Sequence, residues 1–403
     1  MRSHLRTLLL LTFTLLLLGA SQPAPALELG IDRLQALDFA PLAGKRVGLI
    51  TNQTGVDSSL RKTRVILHNS KKVNLVALFS PEHGLDGTEL AGKYVATRKD
   101  SVTGLTVHSL YGPTRKPSPQ MLKGIDVLVF DMQDIGSRSY TYISTMARCM
   151  EAAGETGVEF LVLDRPNPLG GLRIEGPPVE PQWISFVGQL PVPYVHGMTV
   201  GELALMTNAS GWTTAKCKLN VLKMRGWQRS MTWPDTGLRW VQTSPNIPRA
   251  MSPFYYVATG LAGELAGLDN GAGGPTPFEI FSSRGVDADQ FAAYLRKQGF
   301  SGVEFTPYRS APWQGVRLKI DPHCSANLTA LGIFMLAESN RLSRPSLFAR
   351  SSGEKLDLFY KCYGSKSART QLEASVPPSK IVAGWKDNVT RFESARRPYL
   401  IYP

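Results

Sequence analysis

Four short polar clusters carry the chemistry this chain could perform: Asn52 with Gln53, Glu82 with His83, Asp131 with Gln133 and Asp134, and Asp164 with Arg165 and Asn167. Each directly follows an apolar run. Two carboxyl groups facing one cleft can cleave a glycosidic bond, one protonating the leaving oxygen while the other activates water or attacks the sugar. Glu82 is the best proton donor, because it ends an apolar run and follows Pro81, surroundings that desolvate a carboxyl and raise its pKa. His83 stands beside it to orient it or share its proton, although a structural histidine fits the same position. The second group is Asp131, Asp134, Glu202 or Glu264, and separation in space, not along the chain, decides among them. Arg138 and Arg165 lie beside strand-end acids. A guanidinium fork suits a substrate carboxylate, and it equally suits a neighbouring Asp. Tyr140 and Tyr142 alternate with Ser139 and Thr141 in a segment fit for a sugar platform, or for the core.

The elements that must position these groups are legible as alternating apolar runs and helical patterns. Residues 46–51, 73–79, 106–111, 125–130 and 159–163 read as strands, with helices over 60–70 and 141–153. Strands apolar on both faces and separated by helices imply a parallel sheet covered on both sides, and right-handed crossovers make it Rossmann-like and doubly wound. Ligands of such sheets bind beyond the carboxyl ends of the strands, where the polar clusters fall. Helix capping accounts for Asn52 or Asp164 alone, and less readily for Glu82 and His83. No GxGxxG follows the first strand, so the fold is predicted without dinucleotide chemistry.

Residues 170–200, rich in Pro and Gly, read as a long functional loop. A helix over 200–208 and a strand over 219–224 follow, and Ser244-Pro245-Asn246-Ile247-Pro248 marks a boundary. This divides the chain into a Rossmann-like catalytic domain over 27–245 and a smaller α/β auxiliary domain over 246–403. In the second, helices are predicted over 287–298 and 326–339, a strand over 315–320, and a flexible glycine-dense loop near ligand over 260–274.

The first 26 residues combine Arg2 and Arg6, an apolar run over 8–18 and the small-x-small sequence Ala24-Pro25-Ala26, which predicts a cleaved export signal. That run is too short to span a bilayer, so no stable membrane insertion is expected after cleavage. The formal net charge is +13 without a clustered Lys/Arg run, which argues against a nucleic-acid partner and is compatible with an anionic polymer. Cys149, Cys217, Cys324 and Cys362 form no CxxC pair, and the six histidines no close pair, so no metal site is expected; Cys149 reads as a buried thiol. GxSxG and HExxH are absent.

Several blocks resemble the signature segments of the exo-β-N-acetylmuramidases, a glycoside hydrolase family first known as a domain of unknown function. They are Asn52-Gln53-Thr54-Gly55, Ser80-Pro81-Glu82-His83-Gly84, the run from Asp131-Met132-Gln133-Asp134 to Tyr140-Thr141-Tyr142, and Asp164-Arg165-Pro166-Asn167-Pro168. His196-Gly197-Met198-Thr199, Met224-Arg225-Gly226-Trp227 and the closing Arg397-Pro398-Tyr399 also look similar, in matching order from about residue 30 to the end. The resemblance implies a cleft between two domains and removal of terminal N-acetylmuramic acid from the non-reducing ends of peptidoglycan fragments, without a cofactor. It places the family's proposed catalytic glutamate on Glu82 and sets His196 among the binding residues. One stretch departs. Relatives carry Glu-Gly-Thr-Asn and then Ser-Glu-Gly-Arg-Gly, whereas this chain keeps the first acid as Glu264 but has Asn270 and Ala272 in place of the second acid and the arginine. That departure leaves two alternatives: a non-catalytic binder of wall fragments, and a hydrolase for another amino sugar.

Overall fold

The computed structural model describes residues 27–90 and 92–403, so the predicted export signal over 1–26 lies outside the described residues. Seven strands form the first sheet: β1 (Arg46–Thr51), β2 (Asn74–Ser80), β3 (Arg98–Lys99), β4 (Thr106–Ser109), β5 (Val127–Asp131), β6 (Glu159–Leu163) and β7 (Leu219–Leu222). Their spatial order is β3-β4-β2-β1-β5-β6-β7. All neighbours pair in parallel except β3, which runs antiparallel to β4. The order in which strands are added reverses between β1 and β5, which opens a crevice at their carboxyl ends.

Strand alternation sorts the core into two layers. Ile50, Phe130 and Val162 face one side with Phe79, where α4 (Tyr142–Thr156) and α5 (Val200–Ser210) cover them. Leu49, Val129 and Leu163 face the other, against α1 (Gly30–Ala36) and α2 (Thr63–Asn69). This period-2 division needs both faces apolar, which is why β5 is buried along its whole length while the edge strand β7 is only half-buried. The capping box of Thr199 and Glu202 starts α5, and left-handed Gly211 ends it.

The second sheet is antiparallel, in the order β10-β11-β9-β8, with strands β8 (Leu268–Asp269), β9 (Ile280–Ser283), β10 (Val303–Ser310) and β11 (Trp313–Ile320). Helices α6 (Ser252–Thr259), α7 (Ala288–Arg296) and α8 (Leu328–Leu342) pack with it around Phe281, Phe291, Val316 and Leu331. Five further helices lie between Leu347 and Arg396. The sequence pattern shows one strand of this sheet. β10 escapes it because Pro307 interrupts the run, a residue an edge strand tolerates and a central one does not. The 260–274 segment is not a plain loop: it holds a 3-10 turn (Gly260–Glu264) and β8. The chain end then folds back onto the first layer, where Phe392 joins its core and the Tyr402 hydroxyl donates to Asp164 at 2.6 Å. Among the described residues no helix is long and apolar enough to cross a membrane.

Arg138 ties the two domains together. Its guanidinium is fully buried and donates to the carbonyls of Pro177 and Val192 on one side and of Cys362 and Tyr363 on the other, at 2.8–3.1 Å. Burial lowers its pKa to about 10, which still leaves it charged at neutral pH. Arg138→Met is expected to lower unfolding free energy by roughly 3–5 kcal/mol, because it strands buried carbonyls at the seam. Urea denaturation measures this; a loss below about 1 kcal/mol would mean that water replaces the guanidinium.

Candidate active site

The turn that follows β2 supplies Glu82. Its Oε1 accepts from the Gly92 amide at 2.8 Å and its Oε2 from the Thr141 hydroxyl at 2.7 Å, so the carboxyl bridges its own loop and the start of α4. The phenol of Tyr111 lies beside it: burial, and next the Glu82 charge, hold that phenol well above its usual range. His83 adopts φ 69, unusual for a residue with a Cβ, and its Nδ1 meets the Glu89 carbonyl at 2.7 Å. The imidazole therefore braces the Glu82 loop, and its ring bond goes to this carbonyl, not to the Glu82 carboxyl.

Asp134 stands in the turn after β5. One oxygen accepts from the Gly136 amide at 2.7 Å, and the other is buried without a partner. Burial raises its pKa to about 7 against two opposing backbone hydrogen bonds. Tyr142 lies within electrostatic reach of both Glu82 and Asp134. The Tyr140 and Tyr142 rings meet edge-on at 4.8 Å, and Tyr256 from the second domain meets Tyr140 at 6.2 Å. Thr243 gathers this wall: its hydroxyl accepts from Tyr140, and its carbonyl accepts from both Tyr142 and the Gln53 amide. With Tyr142 only 1% exposed, the pair forms a dry wall and not the open sugar platform that the alternation suggests. The Glu264 charge reaches the Tyr256 phenol, and burial raises the Glu264 pKa.

Other predicted residues serve to hold the edge of the sheet. Asp131 accepts from Arg165 Nε at 2.6 Å and from the Thr63 hydroxyl, while Arg165 Nη2 donates to the Val56 carbonyl. Asp164 accepts from the amides of Arg165 and Gly201, the Thr199 hydroxyl and Tyr402. Glu202 is taken up by Thr199, Arg229 and Ile401. Asn167 bridges the Met198 carbonyl and the Leu169 amide. Gln133 donates to the carbonyls of Asp134 and Pro166. His196 is buried, accepts from the Met198 amide, and is pushed down to about 3 by burial and by the nearby Arg396 and Arg138 cations, so it is neutral. Asn52 folds its carbonyl onto Thr54 and keeps a buried amide nitrogen without a partner.

Arg138 is thus committed to main-chain carbonyls at the domain seam and Arg165 to Asp131 and the Val56 carbonyl, so neither guanidinium presents its whole fork to a substrate. Asp131 and Glu202 likewise leave the set of second carboxyls, which narrows to Asp134 and Glu264. Sequence reasoning missed Thr141, Tyr111, Thr243 and the Gly92 amide. Tyr111 closes a predicted strand and Thr141 lies inside a quoted block, so strand-end position could have marked both. Thr243 is brought in only by tertiary contact. Among the described residues no three His, Cys, Asp or Glu side chains gather as a metal-ligand set, and the four cysteines are unbridged and buried.

Carboxyl groups set in a polar crevice at the open edge of a parallel sheet, walled by a second domain, define a two-domain α/β protein built like a hydrolase. The chain belongs to the exo-β-N-acetylmuramidase NamZ family: the family's N-terminal model matches residues 47–251 and its C-terminal model residues 254–402. It is 40% identical over 387 residues to the peptidoglycan β-N-acetylmuramidase NamZ of Bacillus subtilis, covering 94% of this chain and 92% of that protein. Two DUF1343 family proteins from Bacteroides fragilis share the fold. One, 43% identical, superposes with a TM-score of 0.89 over 94% of this chain and all of its own length. The other, 29% identical, has a TM-score of 0.70 over 93% of this chain and 99% of its own.

Asp134 gives the site a measurable signature. Its folded pKa, about 7, lies above the ordinary value of 3.8, so the folded state holds the proton more tightly. The stability this contributes is complete below about pH 4 and is lost as pH rises toward 7. The stability of Asp134→Asn relative to wild type is expected to grow by roughly 1.4 kcal/mol per pH unit between about pH 5 and 7. Urea midpoints across that range test it; a constant difference would show that Asp134 ionises normally.

Proposed function

We propose that this protein is an exo-acting glycosidase that releases terminal N-acetylmuramic acid from the non-reducing ends of peptidoglycan fragments. The observation that carries this reading is Glu82, anchored at both oxygens on the turn after β2 in a family of muramidases. The B. subtilis relative, named for the same activity, supports the substrate class. In this reading Glu82 exchanges a proton with the glycosidic oxygen. The Gly92 amide fixes the carboxyl, and the Thr141 hydroxyl can donate to it or accept from it, so position is kept in both protonation states. Asp134 or Glu264 is the second carboxyl, and the tyrosine wall excludes water from the space between them.

Glu82→Gln is expected to lower kcat on a chromogenic N-acetylmuramic acid glycoside by about 10²–10⁴-fold while binding changes little. A variant near the wild-type rate would move the acid elsewhere. If wild type binds wall fragments but releases nothing from any amino-sugar glycoside, the protein is a binder and not a hydrolase. Release from N-acetylglucosamine glycosides alone would make it a hydrolase of another amino sugar.

The place of action we propose is outside the cytoplasm, in the periplasm or secreted, supported by the charged start, apolar run and Ala24-Pro25-Ala26 of the first 26 residues. Mass spectrometry of protein recovered from the producing cell is expected to find a mature chain starting at Leu27. An intact N-terminus in the cytosolic fraction would overturn this.

A further inference from the structure

We infer that Arg115 is the specificity-determining residue of this site, pairing with the lactyl carboxylate that distinguishes a terminal N-acetylmuramic acid from N-acetylglucosamine. The inference rests on the proposed function and names the group that selects the sugar.

Arg138 and Arg165 are held by protein partners, so a substrate carboxylate is better met by a cation that has none. Arg115 is exposed, and among the described residues its side chain makes neither an ion pair nor a hydrogen bond. The remaining residues, 1–26 and Ala91, include no acid that could pair with it. Its neighbour Lys116 takes up Glu151 and Glu155. What fixes Arg115 is aromatic: the guanidinium carbon lies 5.1 Å from the Tyr111 ring centre and 4.5 Å from that of Phe186. Such stacking orients a guanidinium while leaving its N–H fork free for a planar anion.

Tyr111 also sets the distance. Its ring lies under Arg115, and its phenol lies beside Glu82. One tyrosine ring therefore separates the cation from the carboxyl, the scale of a pyranose ring with a substituent. A sugar whose C1 oxygen meets Glu82 would carry its C3 ether across that ring toward Arg115. The Tyr94 ring lies against Gly112, where even a Cβ would come within 2.4 Å of it, yet Tyr94 is 63% exposed and Leu90 on the same loop 65%. An exposed aromatic at the rim of a polar crevice suits the face of a sugar ring. Phe186 comes from the long segment before the second domain, so the Arg115 seat joins parts of the chain far apart in sequence.

The test compares wild type, Arg115→Ala and Arg115→Lys on a chromogenic N-acetylmuramic acid glycoside and on the same glycoside with its lactyl carboxylate converted to the amide. Arg115→Ala is expected to raise KM on the acid by about 10- to 100-fold with little change in kcat. Arg115→Lys should recover part of the loss, and on the amide the three proteins should become nearly equal. Thermal melting of each variant separates misfolding from lost recognition. If wild type turns over the acid and Arg115→Ala matches it, or loses equally on acid and amide, the assignment of Arg115 is overturned while the proposed function stands. If wild type turns over neither, the proposed function fails, and titration with free N-acetylmuramic acid and N-acetylglucosamine then decides Arg115. A preference for the former that Arg115→Ala abolishes supports it, and no preference overturns it.

Discussion

The buried ion pair of Asp131 with Arg165 is the constraint on which the site depends. Both side chains are almost wholly removed from water. Either charge alone would be costly there, so each stays where the other requires it. Arg165 reaches on to the Val56 carbonyl, and Asp131 to the Thr63 hydroxyl, so the carboxyl ends of β1, β5 and β6 and the start of α2 are fixed to one another. The turn carrying Asp134 leaves β5 immediately after Asp131. A substitution at this pair would move the site without touching substrate.

Around that floor, polar groups divide by whether the protein already satisfies them. Asp164, Glu202 and Asn167 have their bonding filled by amides, hydroxyls and carbonyls, the expected state of buried polar atoms. A few do not: an oxygen of Asp134, the Asn52 amide nitrogen and the Gln133 carbonyl oxygen lack partners. These lie on the turns after β1 and β5, on either side of the crevice where the winding reverses. Buried groups without partners are expensive, and a ligand entering between these turns could satisfy them.

The first sheet was legible because burial on both faces leaves unbroken apolar runs, and residues 46–51 and 159–163 need no tertiary information to be recognised as strands. Its chemistry was legible in position, since strand ends point to the crevice, but not in role. Arg138 and Arg165 look alike in sequence, each near acids. Only the fold shows that the first meets carbonyls of both domains and the second a buried Asp. The second sheet was largely hidden: β8 spans two residues, and β10 is a half-exposed edge strand interrupted by Pro307. Thr243 was illegible for a different reason, because its importance lies in three partners drawn from residues 53, 140 and 142.

The departure at 260–274 also becomes interpretable. Asn270 donates its amide nitrogen to the Thr259 carbonyl at 3.2 Å and accepts the Ala272 amide on its oxygen, so it both gives and receives within one turn. A carboxylate can only accept, and in this position it would face the Thr259 carbonyl with like partial charge. Asn270 is therefore fitted to the turn as this chain builds it, and Gly273, bound to Asn246, holds the turn against the segment joining the domains. The substitutions change the charge of the loop while the loop itself remains ordered. Glu264, the acid retained there, still reaches the Tyr256 phenol with its charge, and Tyr256 meets Tyr140 edge-on. On the proposed reading, selection among amino sugars then rests with charge placement around Glu82, and Arg115, stacked on Tyr111 and Phe186, lies in the first domain.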